Sequence, residues 1–152
     1  MLIIQLADNI NTVQALWKEY WKALGLPGDF QGFEEELRHL PGEYSAPGGT
    51  LALAYIDGVP AGTVALRPLS GAACEVKRLY VRPEFRRRGI GRGLMEWVIG
   101  RAKDLGYRTV HGDTLPTLTD AIEMYRKLGF HVMDHPYSND PTPQAIYMEL
   151  QL

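Results

Sequence analysis

"VRPEFRRRGIGRGLMEW", residues 81–97, places three consecutive arginines directly before glycines at positions 89, 91 and 93. An apolar segment with the character of a β-strand precedes it, and apolar residues at helical spacing continue through its second half. A helix that begins after a glycine-rich turn presents unpaired backbone N–H groups and a partial positive charge. The segment therefore predicts a binding loop for a phosphate-bearing ligand.

The positive charge of the chain is concentrated around this loop. The 152 residues carry a formal net charge of −2, with a pI near 6.1. A general nucleic-acid or membrane-surface binder would carry a net positive field, so the composition argues against both classes. Seven basic residues fall between positions 77 and 92, opposed along the sequence by Glu84 alone: Lys77, Arg78, Arg82, Arg86, Arg87, Arg88 and Arg92. This concentration predicts a small, highly charged ligand.

Length and composition predict one domain over residues 1–152. With 45% hydrophobic residues the chain can bury a substantial core. Cys74 is the single cysteine, which excludes an intrachain disulfide and a CxxC metal or redox pair and fits a reducing compartment. The start, MLIIQLADN, lacks the basic leader and long apolar run of a secretory signal. We therefore expect a cytoplasmic protein.

The hydrophobic pattern predicts alternating strands and helices. Apolar residues at helical spacing predict helices at 10–24, near 29–40, at 91–105 and at 119–128. In the second of these, Asp29 is the expected N-cap and Phe30 lies on the buried side. Short apolar runs predict strands at 2–6, 51–56, 61–66, 75–81, 107–113, 130–133 and 145–150, with DGVP at 57–60 as a hairpin turn. The strand, helix, strand order over 75–113 predicts one parallel pair among antiparallel strands.

The residues after the last glycine exclude two common phosphate loops. A P-loop needs lysine followed by serine or threonine there, whereas this chain has Leu94 and Met95. A dinucleotide-binding fold needs GxGxxG near the start of a longer parallel array, which is not present.

The loop instead resembles motif A of the GNAT superfamily of N-acetyltransferases, Q/R-x-x-G-x-G/A, present as RRRGIG at 86–91. KRLYVRPEFR at 77–86 and AIEMYRKLGF at 121–130 also resemble that family's strand before the loop and its final helix and strand. The resemblance covers residues 50–150 closely and the first 49 in outline. It implies an α/β fold with a mixed, mostly antiparallel sheet, whose parallel central pair is splayed around the coenzyme and flanked by about four helices.

The resemblance implies transfer of an acetyl group from acetyl-coenzyme A to a primary amine by direct attack, with acetyl-CoA as co-substrate and no metal. The pyrophosphate would lie on the loop, and the pantetheine arm would pair with the backbone of the preceding strand. The coenzyme-binding residues it implies are Leu79, Tyr80, Val81, Arg86, Arg87, Arg88, Gly89, Ile90, Gly91, Arg92, Gly93 and Tyr125. Two positions depart from the common pattern: Arg87, where many members have glycine, and Leu118, where many have asparagine.

Transfer to an amine needs a base, because a lysine-like amine with a pKa of ~10.4 is protonated at neutral pH. Glu75 is one candidate, acting directly or through a water, and its structural alternative is an internal ion pair with Lys77 or Arg78. His111 on the neighbouring strand is a second candidate, with a purely structural role as its alternative. Tyr125 matches the family tyrosine that donates a proton to the departing thiolate; its alternative is packing.

The acceptor is the least defined part of the hypothesis. The aromatic residues Trp17, Tyr20, Trp21, Phe30, Phe33 and Tyr44 either form core or line the acceptor side, and Glu34, Glu35, Glu36 and Glu43 either attract a cationic amine or are simply solvated. A small-molecule amine and a protein amino group both stay open as acceptors, and so does a homodimer, while no nucleic-acid or membrane partner is expected. The alternative function is a non-catalytic acyl-CoA sensor or interaction domain; Tyr125 favours the enzyme.

Overall fold

Strands and helices alternate along residues 1–25, 32–137 and 144–152, the parts of the chain that the computed structural model describes. The strands are β1 (Leu2–Leu6), β2 (Thr50–Ile56), β3 (Val59–Ser70), β4 (Ala73–Val81), β5 (Thr109–Thr114), β6 (His131–Val132) and β7 (Ile146–Gln151). The helices are α1 (Ile10–Leu24), α2 (Phe33–Arg38), α3 (Ile90–Asp104) and α4 (Thr119–Lys127).

The strands form one seven-stranded sheet in the order β1-β2-β3-β4-β5-β7-β6. Neighbouring strands are antiparallel except β4 and β5, which run parallel because the connecting chain crosses over through α3. This confirms the expected mixed α/β fold, with its single parallel pair and four helices among the described residues.

Each face of the sheet buries its own hydrophobic core. On one face, α3 and α4 cover a cluster that includes Val64, Leu66, Val76, Leu94 and Met95. On the other, α1 and α2 cover a second cluster, made by Leu16, Trp17, Leu53, Tyr80 and their neighbours. The two helical layers enclose the sheet, so a ligand can reach its middle only where two strands separate.

The N-terminal helix follows the sequence rules closely. The Asn9 side chain accepts a hydrogen bond from the Thr12 N–H at 3.2 Å, and Gly25 ends the helix with a φ of 68°. Both are standard capping arrangements, in which a side-chain oxygen satisfies a free N–H and glycine adopts the left-handed conformation. The predicted bounds, 10–24, are therefore confirmed.

Several predicted boundaries differ from the structure; β3, predicted at 61–66, extends over Val59–Ser70, and β4, predicted at 75–81, begins at Ala73. The hairpin turn is Asp57-Gly58 rather than DGVP, because these two residues adopt φ values of 48° and 81° and close a two-residue turn that leaves Val59 and Pro60 in β3. β5 begins at Thr109, since the Tyr107 N–H still donates to the Ala102 oxygen of α3. The second helix begins at Phe33; Asp29 and Phe30, expected as its cap and buried side, lie outside the described residues.

No helix among the described residues combines the length and apolar character needed to cross a membrane.

Candidate active site

The sheet opens between its two parallel strands. β4 pairs with β5 at three positions, where Ala73, Cys74 and Glu75 face Thr109, Val110 and His111. Beyond Glu75 the two strands continue to Val81 and Thr114, and no register pair joins those later residues. The result is a wedge whose closed end lies at Glu75 and His111.

A bulge in β4 accompanies this opening. Thr63 of β3 faces Tyr80, whereas Ala65 faces Lys77, so β4 has two residues where β3 has one. Arg78 lies in this bulge with a φ of 58°. A bulge bends the strand and increases its local twist, which turns the end of β4 away from β5.

The wedge holds a cleft of about 110 Å³. Helices α1 and α4 close its two sides, and β4 and β5 supply the walls between them. The lining residues are Tyr20, Trp21, Leu24, Val76, Lys77, Arg78, Leu79, Asp113, Thr114, Leu115, Leu118, Ala121, Tyr125 and Ala145.

Backbone groups of β4 are directed into this cleft. The Arg82 N–H donates to the Ala61 oxygen of β3 at 2.8 Å. Because backbone groups of successive strand residues point in opposite directions, those of Val81 point away from β3, to the side on which the sheet opens, and Leu79 lines the cleft itself. The Val81 oxygen accepts a hydrogen bond from Arg86 Nε at 3.0 Å, which ties the arginine-rich loop to the end of the strand.

The loop ends in an exposed helix N-terminus, as its sequence predicts. Arg87 and Gly89 have φ values of 63° and 78°, and α3 begins at Ile90. The Gly93 N–H donates to the Gly89 oxygen at 3.0 Å, and this is the first hydrogen bond of the helix. The amides of residues 90–92 therefore have no acceptor within the helix and are available to an anion.

The basic cluster of the sequence is divided in the fold. Arg78 pairs with Glu36 at 2.9 Å, Arg82 with Glu19 at 2.7 Å and Arg92 with Glu96 at 2.7 Å. The expectation that Glu84 alone opposes these charges is therefore wrong in three dimensions, because α1 and α2 bring in Glu19 and Glu36, which are distant in sequence, and Glu96 lies one turn from Arg92 on α3. Arg86, Arg87 and Arg88 form no ion pair with the described carboxylates and are exposed at the loop.

The glycines of the loop differ in their surroundings. A Cβ atom at Gly91 would lie 3.6 Å from Val81 Cγ2 and 3.8 Å from Met124 Sδ, which are ordinary contacts. At Gly93 it would lie 3.3 Å from Ile4 Cδ1, a tight approach of α3 to β1. The fold thus explains the glycine at 93 by packing, while it leaves room for a side chain at 91.

Tyr125 lies in the last turn of α4 and lines the cleft. Its ring packs against Phe130 with centroids 5.4 Å apart, and its hydroxyl makes no hydrogen bond with the described residues. Burial is the main cause that raises the pKa of Tyr125 above its ordinary value, with smaller contributions from Tyr20 and Asp113. The hydroxyl therefore keeps its proton at neutral pH and is free to donate it to a ligand.

Glu75 lies at the closed end of the wedge and is almost completely buried. Its carboxylate accepts hydrogen bonds from Arg67 Nε at 2.7 Å and from the Tyr137 hydroxyl at 2.6 Å. The ion pair that the sequence suggested, with Lys77 or Arg78, is instead made with Arg67, which faces Glu75 across the β3–β4 ladder.

His111 is the neighbour of Glu75 on β5. It is buried, its Nδ1 has no hydrogen-bond partner, and its Nε2 is 3.7 Å from Glu149. Burial lowers the pKa of His111, so the imidazole is neutral at neutral pH. The Tyr137 ring lies 4.8 Å from it and links the histidine to the Glu75 carboxylate.

The residues proposed for the acceptor side fall into two groups. Trp17, Trp21, Phe33 and Tyr44 are buried in the α1–α2 core, although Trp21 also reaches the cleft together with Tyr20. Three of the four acidic residues are engaged: Glu35 with Arg38, Glu36 with Arg78 and Glu43 with Arg67. An acidic rim that attracts amines is therefore not what these carboxylates form.

Sequence reasoning missed Tyr137 and Asp113. Tyr137 precedes a polar, proline-rich segment and shows no periodicity, and its bond to Glu75 joins residues 62 positions apart. Asp113 is the last residue of a predicted strand. Because ligands bind at the carboxyl ends of parallel strands, this position could have identified it as a site residue. Among the described residues no group of three or more histidine, cysteine, aspartate or glutamate side chains is placed to hold a metal ion.

Comparison with known proteins agrees with this architecture. The model of the acetyltransferase (GNAT) family matches residues 11–130. A protein of Schizosaccharomyces pombe, named an uncharacterized N-acetyltransferase, is 34% identical over 151 residues, covering 98% of this chain and 92% of the relative.

Solved structures share the fold at low sequence identity. A GNAT-family acetyltransferase from Staphylococcus aureus has a TM-score of 0.83 at 20% identity and covers 99% of both chains. The PaiA N-acetyltransferase of Thermoplasma acidophilum, solved in complex with coenzyme A, has a TM-score of 0.79 at 19% identity, covering 100% of this chain and 99% of that one. The resemblance carried by the loop is thus confirmed, and the chain belongs to the acetyltransferase (GNAT) family.

Proposed function

We propose that this protein transfers an acetyl group from acetyl-CoA to a primary amine by direct attack of the amine on the thioester. The observation that carries the proposal is the opening between β4 and β5 beside an arginine-rich loop with free helix amides. The loop offers positive charge to a pyrophosphate, and the wedge offers a channel between two strands to the reacting thioester.

The loop residues supply the nucleotide-binding part. The free amides of residues 90–92 and the exposed guanidinium groups of Arg86, Arg87 and Arg88 would hold the pyrophosphate. Arg92 is the weakest member of the set, because its Nε already donates to Glu96 at 2.7 Å. The positive φ of Arg87 means that the loop keeps a glycine-like shape and adds a charge to it.

The edge of β4 supplies the channel for the pantetheine arm. Leu79 lines the cleft and Val81 follows it at the open edge of β4, and an amide-bearing arm would pair with their backbone groups as an extra strand does. The Leu79 N–H would also stabilise the negative charge that develops on the thioester oxygen as the amine attacks. Leu118 lines the same cleft and would contribute an apolar contact there, at the position for which the family resemblance implies asparagine.

Two protons must move during the transfer. Tyr125 would donate its proton to the departing thiolate, and Glu75 would receive the proton of the acceptor amine. Because both Glu75 oxygens already accept hydrogen bonds, we place the Tyr137 hydroxyl between the carboxylate and the acceptor as a relay. His111, neutral and adjacent to Tyr137, is the alternative base.

Two measurements on the purified protein test this function. Calorimetric titration is expected to detect acetyl-CoA binding, and a panel of amines is expected to release free coenzyme A thiol at a rate that depends on the amine. Absence of binding contradicts the proposal. Binding without thiol release for any amine favours the alternative, a non-catalytic acyl-CoA sensor.

A further inference from the structure

We infer that the acceptor is an amine of the amino-acid class, and that Lys77 binds its carboxylate. The inference rests on the proposed function, because it concerns the second substrate of the same cleft. The observation behind it is that the cationic side chain of Lys77 lines the cleft and forms no ion pair with a described carboxylate.

Lys77 makes no hydrogen bond and no ion pair with the described residues, although it is half-buried. The two carboxylates that act on it electrostatically are those of Glu75 and Glu36. Glu75 is bonded to Arg67 and Tyr137, at 2.7 and 2.6 Å. Glu36 is likewise engaged by Arg78 and Tyr44, at 2.9 and 2.5 Å. Each nearby anion therefore has other partners, and the Lys77 ammonium has none.

An unpaired, half-buried ammonium is unfavourable in a folded protein. Burial lowers the pKa of Lys77, and the positive charge of Arg78 lowers it further. The negative charge of a carboxylate bound beside Lys77 would raise its pKa and so oppose both effects. The neighbouring guanidinium of Arg78 is a poorer anchor, because it is bonded to Glu36 and lies over the Trp21 ring at 4.8 Å.

The position of Lys77 suits the substrate rather than the coenzyme. Lys77 lies on β4 before the bulge, whereas of the residues offered to the pantetheine arm Leu79 lies in the bulge and Val81 after it. Across the cleft, β5 contributes the Asp113 carboxylate. Walls of opposite charge on either side of a cleft match a molecule that carries an ammonium and a carboxylate on the same carbon.

The remaining walls also fit a small amino acid. Tyr20, Trp21 and Leu24 of α1 give this side of the cleft an apolar and aromatic surface. An amino-acid side chain could occupy it while its charged groups face Lys77 and Asp113.

Matched acceptors test the role of the carboxylate. We would compare kcat/KM for L-leucine and L-phenylalanine with the values for their carboxamides, which keep the side chain but lose the negative charge. Each value is expressed per neutral amine, because the amine of the carboxamide is less basic and is deprotonated to a larger extent at a given pH. A charge-assisted hydrogen bond predicts an about 10- to 100-fold preference for the acids in the wild type. Lys77→Met should abolish the preference and Lys77→Arg should keep part of it. Lys103→Met, at an exposed lysine of α3, serves as the matched control.

Because each variant is judged by a ratio of two acceptors, a general loss of folded protein cancels. A wild-type ratio near one, or a ratio that Lys77→Met leaves unchanged, overturns the inference while leaving the proposed function intact. If no amine is acetylated, the proposed function fails, and the inference about Lys77 is then tested by measuring whether amino acids bind in the cleft. Calorimetric titration of the acids and the carboxamides into the coenzyme A complex should then show binding that needs both the carboxylate and Lys77; equal binding of acid and carboxamide overturns it.

Discussion

Tyr125 and Glu75 are the two side chains on which proton transfer depends in our proposal, and the structure surrounds them differently. The Tyr125 hydroxyl lines the cleft and makes no hydrogen bond within the described part of the chain. The Glu75 carboxylate is fully engaged by Arg67 and Tyr137. Tyr125 can therefore act on a ligand directly, whereas Glu75 acts through its neighbours.

Replacing Tyr125 by phenylalanine deletes only the hydroxyl. Because the pKa of Tyr125 is raised by burial, the wild-type group is protonated throughout the neutral range and can donate to the thiolate. We expect Tyr125→Phe to lower kcat by the usual contribution of general acid catalysis, ~100- to 10,000-fold, with little change in acetyl-CoA affinity. Steady-state thiol release and calorimetry measure the two quantities.

Tyr107→Phe is the matched control for this variant. Its hydroxyl donates to the Gly48 oxygen at 2.7 Å and does not line the cleft, so its loss should affect stability rather than turnover. If Tyr125→Phe turns over at the wild-type rate under conditions where chemistry is limiting, the tyrosine is a packing residue and the thiolate leaves unprotonated.

Glu75→Gln keeps the shape of the side chain and removes its ability to take a proton. As base, Glu75 matters most at low pH, where the acceptor amine is most fully protonated, so kcat/KM should fall more at pH 6 than at pH 9. The buried ion pair with Arg67 is lost as well, and we expect unfolding to become easier by about 1–3 kcal/mol. pH–rate profiles and urea denaturation separate the two effects.

The Tyr137→Phe variant tests the proposed relay with the Arg67–Glu75 pair left in place. It should reproduce the pH-dependent loss with a smaller change in stability. If Glu75→Gln lowers the free energy of unfolding but leaves the pH–rate profile unaltered, the carboxylate only stabilises the closed end of the wedge. His111 would then be the candidate base.

At the scale of elements, the strand β4 and the loop after it contain the two departures from regular backbone that shape the site. Arg78 and Arg87 adopt φ values of 58° and 63°, which non-glycine residues seldom do. The first lies in the bulge that opens the sheet, and the second gives the loop its turn. Both residues are arginines, so the two positions that have a positive φ also carry a positive charge.

The start of α3 allows a test that separates binding from folding. A Cβ at Gly91 meets only ordinary contacts at 3.6 and 3.8 Å, so Gly91→Val should fold. It should nevertheless weaken acetyl-CoA binding far more than Arg92→Ala does, because the side chain blocks the approach of the pyrophosphate to the amides whereas Arg92 is already paired with Glu96. Calorimetric titration of both variants measures the difference.

Gly100→Val controls for the helix itself. Gly100 lies in the interior of the same helix with nothing within 4 Å of its Cβ position, so the substitution introduces the same residue into α3 without touching the loop. Equal affinities in Gly91→Val and Arg92→Ala would contradict the placement of the pyrophosphate.

Local sequence rules predicted these elements because their signals are local. Asn9 and Gly25 bound α1, and the spacing of Leu94, Met95 and Val98 marks the buried side of α3. The bulge at Arg78 could not be predicted in this way, because an arginine inside an apolar strand gives no sign of a positive φ. The glycine spacing predicted the loop, since glycine reports on backbone geometry directly.

At the scale of the whole molecule, contacts distant in sequence decide which charges reach solvent. Glu19 of α1 pairs with Arg82 across 63 positions, and Glu36 of α2 pairs with Arg78 across 42. No pattern in the sequence pairs them, which is why the basic cluster looked uniform before the fold was known. The fold leaves the net positive charge at Arg86, Arg87 and Arg88, beside the helix amides.

The same architecture predicts that the coenzyme stabilises the folded protein. β4 and β5 are joined at only three positions, so a ligand lying between them bridges two parts of the sheet that are otherwise held by the helical layers. A ligand that binds only the folded state adds RT ln(1 + [L]/Kd), about 2.7 kcal/mol at a hundredfold excess over Kd. For a chain of this size we expect acetyl-CoA at that concentration to raise the melting temperature by about 5–10 °C.

Pantetheine, which lacks the nucleotide and its phosphates, separates the contribution of the loop from that of the wedge. At equal concentration it should raise the melting temperature much less, because it makes no contact with the amides of residues 90–92 or with the exposed arginines. The acetyl-CoA effect should also shrink as salt is increased from 0.05 to about 0.5 M, since ions screen exposed charges. Differential scanning fluorimetry measures both. A shift that pantetheine matches, or that salt leaves unchanged, would mean that the arginine loop contributes little and that the coenzyme is held by the wedge alone.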